Sequence, residues 1–202
     1  MKRFKLFIDN QWVDAENGKT FVTCCPCTGE PIAEMALGSA CLLYTSDEIR
    51  KELKTVKEQQ EKLVFDDFSH DTAWELGSLM VRRARERQLP VGLSITFNRQ
   101  SMFYCALTGS APTNEHFIER KDNVVYECYR SSYEMVLTAA LETERDFMEY
   151  WGMGYMDFAL AGGAFPITVK GMGVLGTISC SGLSQEEDHR FVVSVLSEYL
   201  GK

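Results

Sequence analysis

Between Gly162 and His189 the chain reads GGAFPITVKGMGVLGTISCSGLSQEEDH, and the residues suited to chemistry sit at its corners. Gly162 and Gly163 allow backbone shapes that other residues resist, so a ligand can approach there, or the chain can simply bend. At the other corner Ser181-Gly182 precedes a helix start at Ser184, whose unpaired backbone N–H groups attract anions. Asp188 and His189 fall in the first turns of that helix. A helix N-terminus disfavours a protonated imidazole and a neighbouring carboxylate favours it. His189 therefore suits a metal ligand, a haem ligand or a proton carrier, or a structural imidazole bonded to a nearby loop. A second cluster, Tyr129-Arg130-Ser131-Ser132-Tyr133, lies within a helical pattern. Serines in mid-helix run against propensity, and small residues there admit another element or a ligand. Arg130 has the planar fork that pairs with a carboxylate.

The candidate ligand-binding residues are thus Arg130, Ser131, Ser132, Gly162, Gly163, Phe165, Ser181, Asp188 and His189, with His189 the metal candidate. No catalytic residue is assignable. The three histidines, His70, His116 and His189, are scattered, and Ser131 or Ser181 forms a Ser/His arrangement only if the fold brings it to His189. Gly171, Gly173 and Gly176 spell G-x-G-x-x-G, but a strand follows where a dinucleotide site needs a helix. The pattern reads as a hairpin turn and argues against NAD.

Steps of four and three place Ile49, Leu53, Val56, Gln60 and Leu63 on one narrow helical stripe. A second helix runs from the Ser69 cap to about Gln88 and ends before Pro90. Residues 91–97 and 102–107 alternate as an antiparallel pair joined at Asn98-Arg99-Gln100. A long helix is predicted from Thr113 or Asn114 to Ala140, with Phe117, Lys121, Val124, Val125, Cys128, Ser132, Met135, Val136 and Ala139 following the helical period. A short helix follows over 142–151. Two strands, 165–169 and 174–180, then lead to a final helix with a Ser184/Glu187 capping box.

The chain has 202 residues, 45% hydrophobic and 25% charged, as ordinary globular proteins do. Its net charge of -8 argues against nucleic acid or an anionic membrane as partner. The basic cluster Arg82, Arg83, Arg85 and Arg87 reads as a solvated helix face. No apolar run approaches the ~20 residues of a membrane helix, and the start lacks a signal sequence. The expected location is cytoplasmic, so the seven cysteines read as free thiols. Cys24, Cys25 and Cys27 are too crowded for good tetrahedral zinc geometry. Cys105, Cys128 and Cys180 read as core residues.

The first forty residues differ in character. LFIDNQWVDAENGKTF reads as a β-hairpin turning at Glu16-Asn17-Gly18, and CPCTGEPIAEMALGS as a further turn and strand. Residues 6–39 resemble the amino-terminal strands of aldehyde dehydrogenases, whose chemistry lies in later domains that have no counterpart here. ACLLYTS, residues 40–46, resembles translated sequencing-adapter sequence and implies a chimeric junction near Ser39–Asp47. Residues 1–45 are expected to pack loosely beside an independent domain over 47–202.

That domain resembles a known family. LVFDDFSHDTAWELG, NVVYECYRSSY, GGAFPI, GVLGTISCSGL and QEEDH occur in the order found in haem-degrading-domain proteins of the HbpS/GlcG type, in an uncharacterised branch. Members of the branch carry His where Tyr129 stands and Asn-Gly where this chain has Asn98-Arg99. The resemblance implies a profilin-like α/β (α+β) fold, an antiparallel sheet of about five strands with helices on both faces. It further implies homo-oligomers and a small-molecule ligand, haem or iron among them. The rival expectation is a non-catalytic assembly module, favoured by the stripe from Ile49 to Leu63 and by the lack of a finished active site.

Overall fold

The computed structural model describes residues 2–8, 11–14, 20–24, 30–36, 46–142 and 146–202. The chain divides into two compact units, Met1–Glu48 and Ile49–Lys202.

In the first unit β1 is Lys2–Phe4, β2 Leu6–Ile8, β3 Gln11–Val13, β4 Thr20–Cys24 and β5 Pro31–Ala36. β5 pairs with β1 in parallel and with β4 antiparallel, while β2 and β3 form a separate antiparallel pair. Among the described residues β3 pairs with β2 and β4 with β5. In the β2–β3 pair Leu6 faces Val13 and Ile8 faces Gln11. Residues 16–18, most of the TGE turn and the adapter-like residues 40–45 lie outside the described residues. Ala33 is buried, whereas Phe21, Val22, Ile32 and Met35 are exposed.

The second unit carries α1 (Ser46–Lys62, entering from the first), α2 (His70–Glu86), β6 (Gly92–Phe97), β7 (Gln100–Ala106), α3 (Pro112–Cys128), α4 (Ser132–Leu141), α5 (Phe147–Tyr150), β8 (Ala164–Val169), β9 (Gly173–Ser181) and α6 (Gln185–Leu200). Its four strands are antiparallel in the order β7-β6-β9-β8. In place of a fifth strand, Phe65 makes a single parallel bridge to Val169. The glycine run after Val169 joins β8 to β9, a strand-to-strand connection.

Strand alternation gives the sheet two unlike faces. Leu93, Ile95, Phe165, Ile167, Ile178 and Cys180 point into a buried apolar core shared with Leu76 and Met80 of α2 and Phe191, Val192, Val195 and Leu196 of α6. The opposite face presents Ser94 beside Ser179 and Thr96 beside Thr177. α3 covers this hydroxyl-bearing face, so helices lie on both sides of the sheet. Asn98 and Arg99 both have positive φ, 49° and 62°, as a tight primed hairpin requires. Arg99 is steadied there because its guanidinium lies 4.6 Å from the Tyr126 ring and its N–H donates to the Tyr126 hydroxyl at 3.2 Å.

The long helix expected to Ala140 is broken. Tyr129 ends α3 in a left-handed conformation, φ 54°, and Ser131 caps α4 by accepting the Glu134 N–H at 3.2 Å. Serines favour a cap over a helix interior, so the mid-helix anomaly at Ser131-Ser132 marks a boundary. Cys180 is buried as expected, whereas Cys105 and Cys128 are only partly covered.

Because the first unit exposes four apolar side chains, residues 46–202 are expected to fold without residues 1–45. Urea unfolding of the shortened chain should show one cooperative transition with a midpoint close to that of the whole protein. Loss of that transition refutes the expectation.

Candidate functional site

Lys121 is the least expected side chain of the domain: a lysine on α3 only 1% exposed. Its ammonium has three N–H bonds and finds three acceptors, Gly162 O at 3.0 Å, Cys180 O at 2.6 Å and Asp188 Oδ2 at 3.3 Å. All donors are used, which is what makes a buried ammonium tolerable. Asp188 Oδ1 accepts the Leu183 N–H at 3.1 Å and the Cys180 thiol at 3.5 Å. Burial raises the Asp188 carboxyl above its usual range, with Lys121 pulling the other way. Burial, then Asp188, pushes the Cys180 thiol well up, so it stays protonated and unreactive.

The glycine pair makes this closure sterically feasible. Gly163 has φ +121°, and a Cβ there would meet Cys180 O at 2.4 Å and Lys121 Nζ at 2.6 Å. A Cβ on Gly162 would meet Gln185 O at 2.2 Å. Both positions exclude side chains so that the backbone can lie over the ion pair.

Above the pair opens a polar cleft of about 280 Å³, bordered by Thr113, Asn114, Gly162, Ser181, Gln185 and Asp188, with Lys121 at its floor. The start of α6 beside it is already neutralised. Ser184 and Glu187 complete the predicted capping box, and Glu186, Glu187 and Asp188 occupy the first turn, meeting the helix dipole with the protein's own carboxylates. That end is not the anion attractor its N–H groups alone would make.

An apolar cleft of about 490 Å³ adjoins it, sharing Phe117 and Ala161. Phe147, Met148, Phe158 and Leu160 line it, with Arg120 at its wall and the carboxylates of Glu142 and Asp146 also bordering it. The Arg120 guanidinium donates to Tyr155 O at 2.5 Å and Phe158 O at 3.1 Å and lies 5.3 Å from the Phe117 ring centre. Its Nε is buried without a hydrogen-bond partner, and among the described residues it makes no ion pair.

The structure brings Gly162, Gly163, Ser181 and Asp188 together around Lys121 and separates them from the rest. Ser132 Oγ accepts the Ala164 N–H at 3.0 Å and ties α4 to β8, while Phe165 lies in the apolar core. Arg130 lines neither cleft and pairs with Glu134 at 3.6 Å. The Ser131 N–H donates to Gln60 Oε1 at 2.6 Å, and Gln60 Nε2 donates to Glu134 at 2.5 Å. His189, 1% exposed, also turns towards α1. With the Gln59 amide as placed, His189 Nε2–H donates to Gln59 Oε1 at 2.9 Å. The imidazole packs 4.8 Å from the Tyr133 ring and 6.0 Å from Phe165, and its Nδ1 is buried without a partner. Burial, aided by Arg190, lowers its pKa to about 4. Among the described residues no group of three His, Cys, Asp or Glu side chains could hold a metal ion, and no helix is long and apolar enough to cross a membrane.

Sequence reading missed Lys121, Arg120 and Asp122 as functional candidates. Asp122 accepts a short hydrogen bond from Ser179 on the hydroxyl face. Beside it Thr96 bonds both Thr177 and the Tyr126 hydroxyl at 2.7 Å. Burial, only partly offset by the Ser179 and Thr177 hydroxyls, raises the Asp122 carboxyl to about 7.

An α/β sandwich with one dry and one hydroxyl-lined sheet face, and a glycine pair folded over a lysine–aspartate pair, defines the class. The family model described as haem degrading protein HbpS-like matches residues 68–197, and the chain belongs to that family. A UPF0303 protein of Rhizobium meliloti is 40% identical over 153 residues, covering 76% of this chain and 93% of that protein. Among solved structures, the Ybr137w protein is similar with a TM-score of 0.68 at 24% identity, over 74% of this chain and 87% of that one. A PduOC:heme complex is similar with a TM-score of 0.54 at 17% identity, over 64% and 93%.

Asp122 and His189 make opposed contributions to stability against pH. The folded state holds the Asp122 proton up to about pH 7, whereas an unfolded aspartate loses it near 3.8, so this group's contribution falls as pH rises between those values. His189 binds its proton only below about 4 when folded but near 6.5 when unfolded, so its contribution rises with pH across that window. The two slopes, each up to about 1.4 kcal/mol per pH unit, oppose one another between pH 4 and 6.5. Asp122→Asn should leave stability rising with pH over that range, and His189→Gln should leave it falling. Urea titrations at several pH values check this; slopes of the same sign in both variants refute it.

Proposed function

We propose that this protein is a small-ligand-binding member of its family, and that the ligand is a flat, largely apolar molecule carrying a carboxylate, haem and other tetrapyrroles included. The observation behind this reading is the apolar cleft of about 490 Å³ with Arg120 in its wall. That size is typical of sites for drug-sized ligands, which are mostly apolar with a few placed polar groups. Phe117, Phe147, Met148, Phe158 and Leu160 would contact the faces of such a ring system, and the Arg120 guanidinium would meet its carboxylate in low-dielectric surroundings. The fold likeness to the PduOC:heme complex supports the same ligand class.

In this reading haem would be held in the cleft through its ring and propionates rather than through an imidazole. Among the described residues no histidine lines either cleft, and His189 is packed beneath α1 with Nε2 already engaged. Bound haem would supply redox-active iron; the residues of this chain would bind and orient the ring and exclude water from one side of it. Iron ligation by His189 would require its buried imidazole to be uncovered.

Titration with haemin tests this reading. A saturable Soret change is expected, weakened at least tenfold by Arg120→Ala and unmoved in band position by His189→Ala. No saturation, or full binding by the Arg120 variant, refutes the cleft; a band shift in the His189 variant assigns the iron to that imidazole instead.

The second reading, self-assembly, rests on exposed large hydrophobic side chains, Tyr150, Trp151, Tyr155 and Met156, the last 87% exposed. Large exposed apolar surface is characteristic of an interface. A homo-oligomer formed there should dissociate on Met156→Glu, read as a fall in mass by light scattering. An unchanged mass places any assembly elsewhere.

A further inference from the structure

β7 is an edge strand of the sheet, and its two ends differ. Ile95 faces Phe103 but Thr96 faces Ser101, so Met102 is an extra residue that bulges the first half of the strand. Beyond it the pairing is regular to Ala106. The Leu107 N–H donates to Val91 O at 3.0 Å, which makes Phe103, Cys105 and Leu107 the residues bonded to β6. The N–H and C=O groups of Tyr104 and Ala106 then point away from the sheet. Aromatic side chains flank this short open ladder on both faces: Trp74 of α2, 67% exposed and 6.1 Å from the Phe103 ring, and Tyr104, 41% exposed.

Beside the open ladder runs a groove of about 440 Å³ between residues 105–108 and Ala84, Arg85, Gln88 and Leu89 at the end of α2. Arg85 and its neighbour Arg82 are exposed, and among the described residues neither forms an ion pair, although the chain as a whole carries a net charge of -8. On the α3 face Tyr104 stands beside Glu115, so favourable positive charge is confined to the α2 side.

We propose that the open end of β7 and the groove along Arg85 receive an extended peptide of a partner protein, added as a short fifth strand with an acidic side chain against Arg85. Main-chain bonds to Tyr104 and Ala106 would hold the strand, and alternate side chains would cover Trp74 and Tyr104, as in strand addition generally. Charge decides the occupant's chemistry. A second copy pairing through its own β7 is disfavoured twice: the bulge at Met102 interrupts a long self-pair, and Arg99 of the incoming copy would arrive at the end where Arg85 stands.

A peptide of sequence Glu-Glu-Thr-Val-Thr-Val-Thr-Val, with a Lys-Lys version as control, tests the proposal on the whole protein. The acidic peptide should bind saturably and protect the Tyr104 and Ala106 amides from hydrogen exchange, and the basic one should bind at least tenfold more weakly. Arg85→Glu should reverse that preference. Ala106→Pro removes an outward N–H that the sheet does not use and should abolish binding; N-methylating alternate peptide amides should do the same without altering the protein. Absence of saturable binding, equal binding of both peptides, or binding indifferent to Ala106→Pro and to N-methylation overturns the proposal. So does light scattering that shows Arg85→Glu splitting an oligomer, which would assign the edge to a second copy.

Discussion

A sheet that shows hydrocarbon on one side and hydroxyls on the other cannot be covered by two similar helices. On the dry side α2 and α6 bury a continuous apolar core, and the driving force is removal of hydrocarbon from water. On the other side Ser94, Thr96, Thr177 and Ser179 leave little hydrocarbon to bury, and each buried hydroxyl needs a partner. α3 supplies Asp122 to Ser179 and the Tyr126 hydroxyl to Thr96, and anchors itself with Lys121. Both clefts open along the same helix, from Asn114 through Phe117 to Lys121. The polar face thus gives up hydrophobic stabilisation and gains a helix whose position is fixed by directional bonds.

Much of this architecture was legible in the residues. Alternation in 91–107 and 164–181, the Ser69 and Ser184 caps, and the hairpin reading of the glycine run each follow from local periodicity or capping chemistry, and the structure agrees. The site was less legible because its parts come together only in three dimensions. Lys121 shares the helical period with Val124 and Val125, both buried, and a lysine among apolar periodic positions is itself a signal that a buried acceptor awaits it. Reading that position as one more step in the helical period passed over the centre of the domain. The serines at 131 and 132 gave the opposite lesson. Their poor fit to a helix interior suggests close approach or a ligand, whereas a helix boundary is the local answer.

Arg130 and His189, both candidates for one ligand site, part company in the fold: Arg130, in the break between α3 and α4, pairs with Glu134, and His189 turns to α1. Gln59 and Gln60, consecutive on that helix, engage His189 and the Ser131–Glu134 corner respectively. A polar residue on the stripe from Ile49 to Leu63 was visible in the sequence. What it touched depended on a partner some seventy residues away, which spacing alone does not report. The glycine pair was assigned two roles, ligand approach or a bend. The geometry supplies a third, room for backbone carbonyls to close on an ammonium.

The acceptors of Lys121 lie 41, 59 and 67 residues along the chain. Contacts so distant in sequence carry a large loop-closure cost and form only after β8, β9 and the start of α6 have met. Bonds absent from the folding transition state do not hasten folding; their weight falls on the rate of unfolding. The ammonium therefore acts as a latch that closes last, and the domain owes to it lifetime more than speed of assembly.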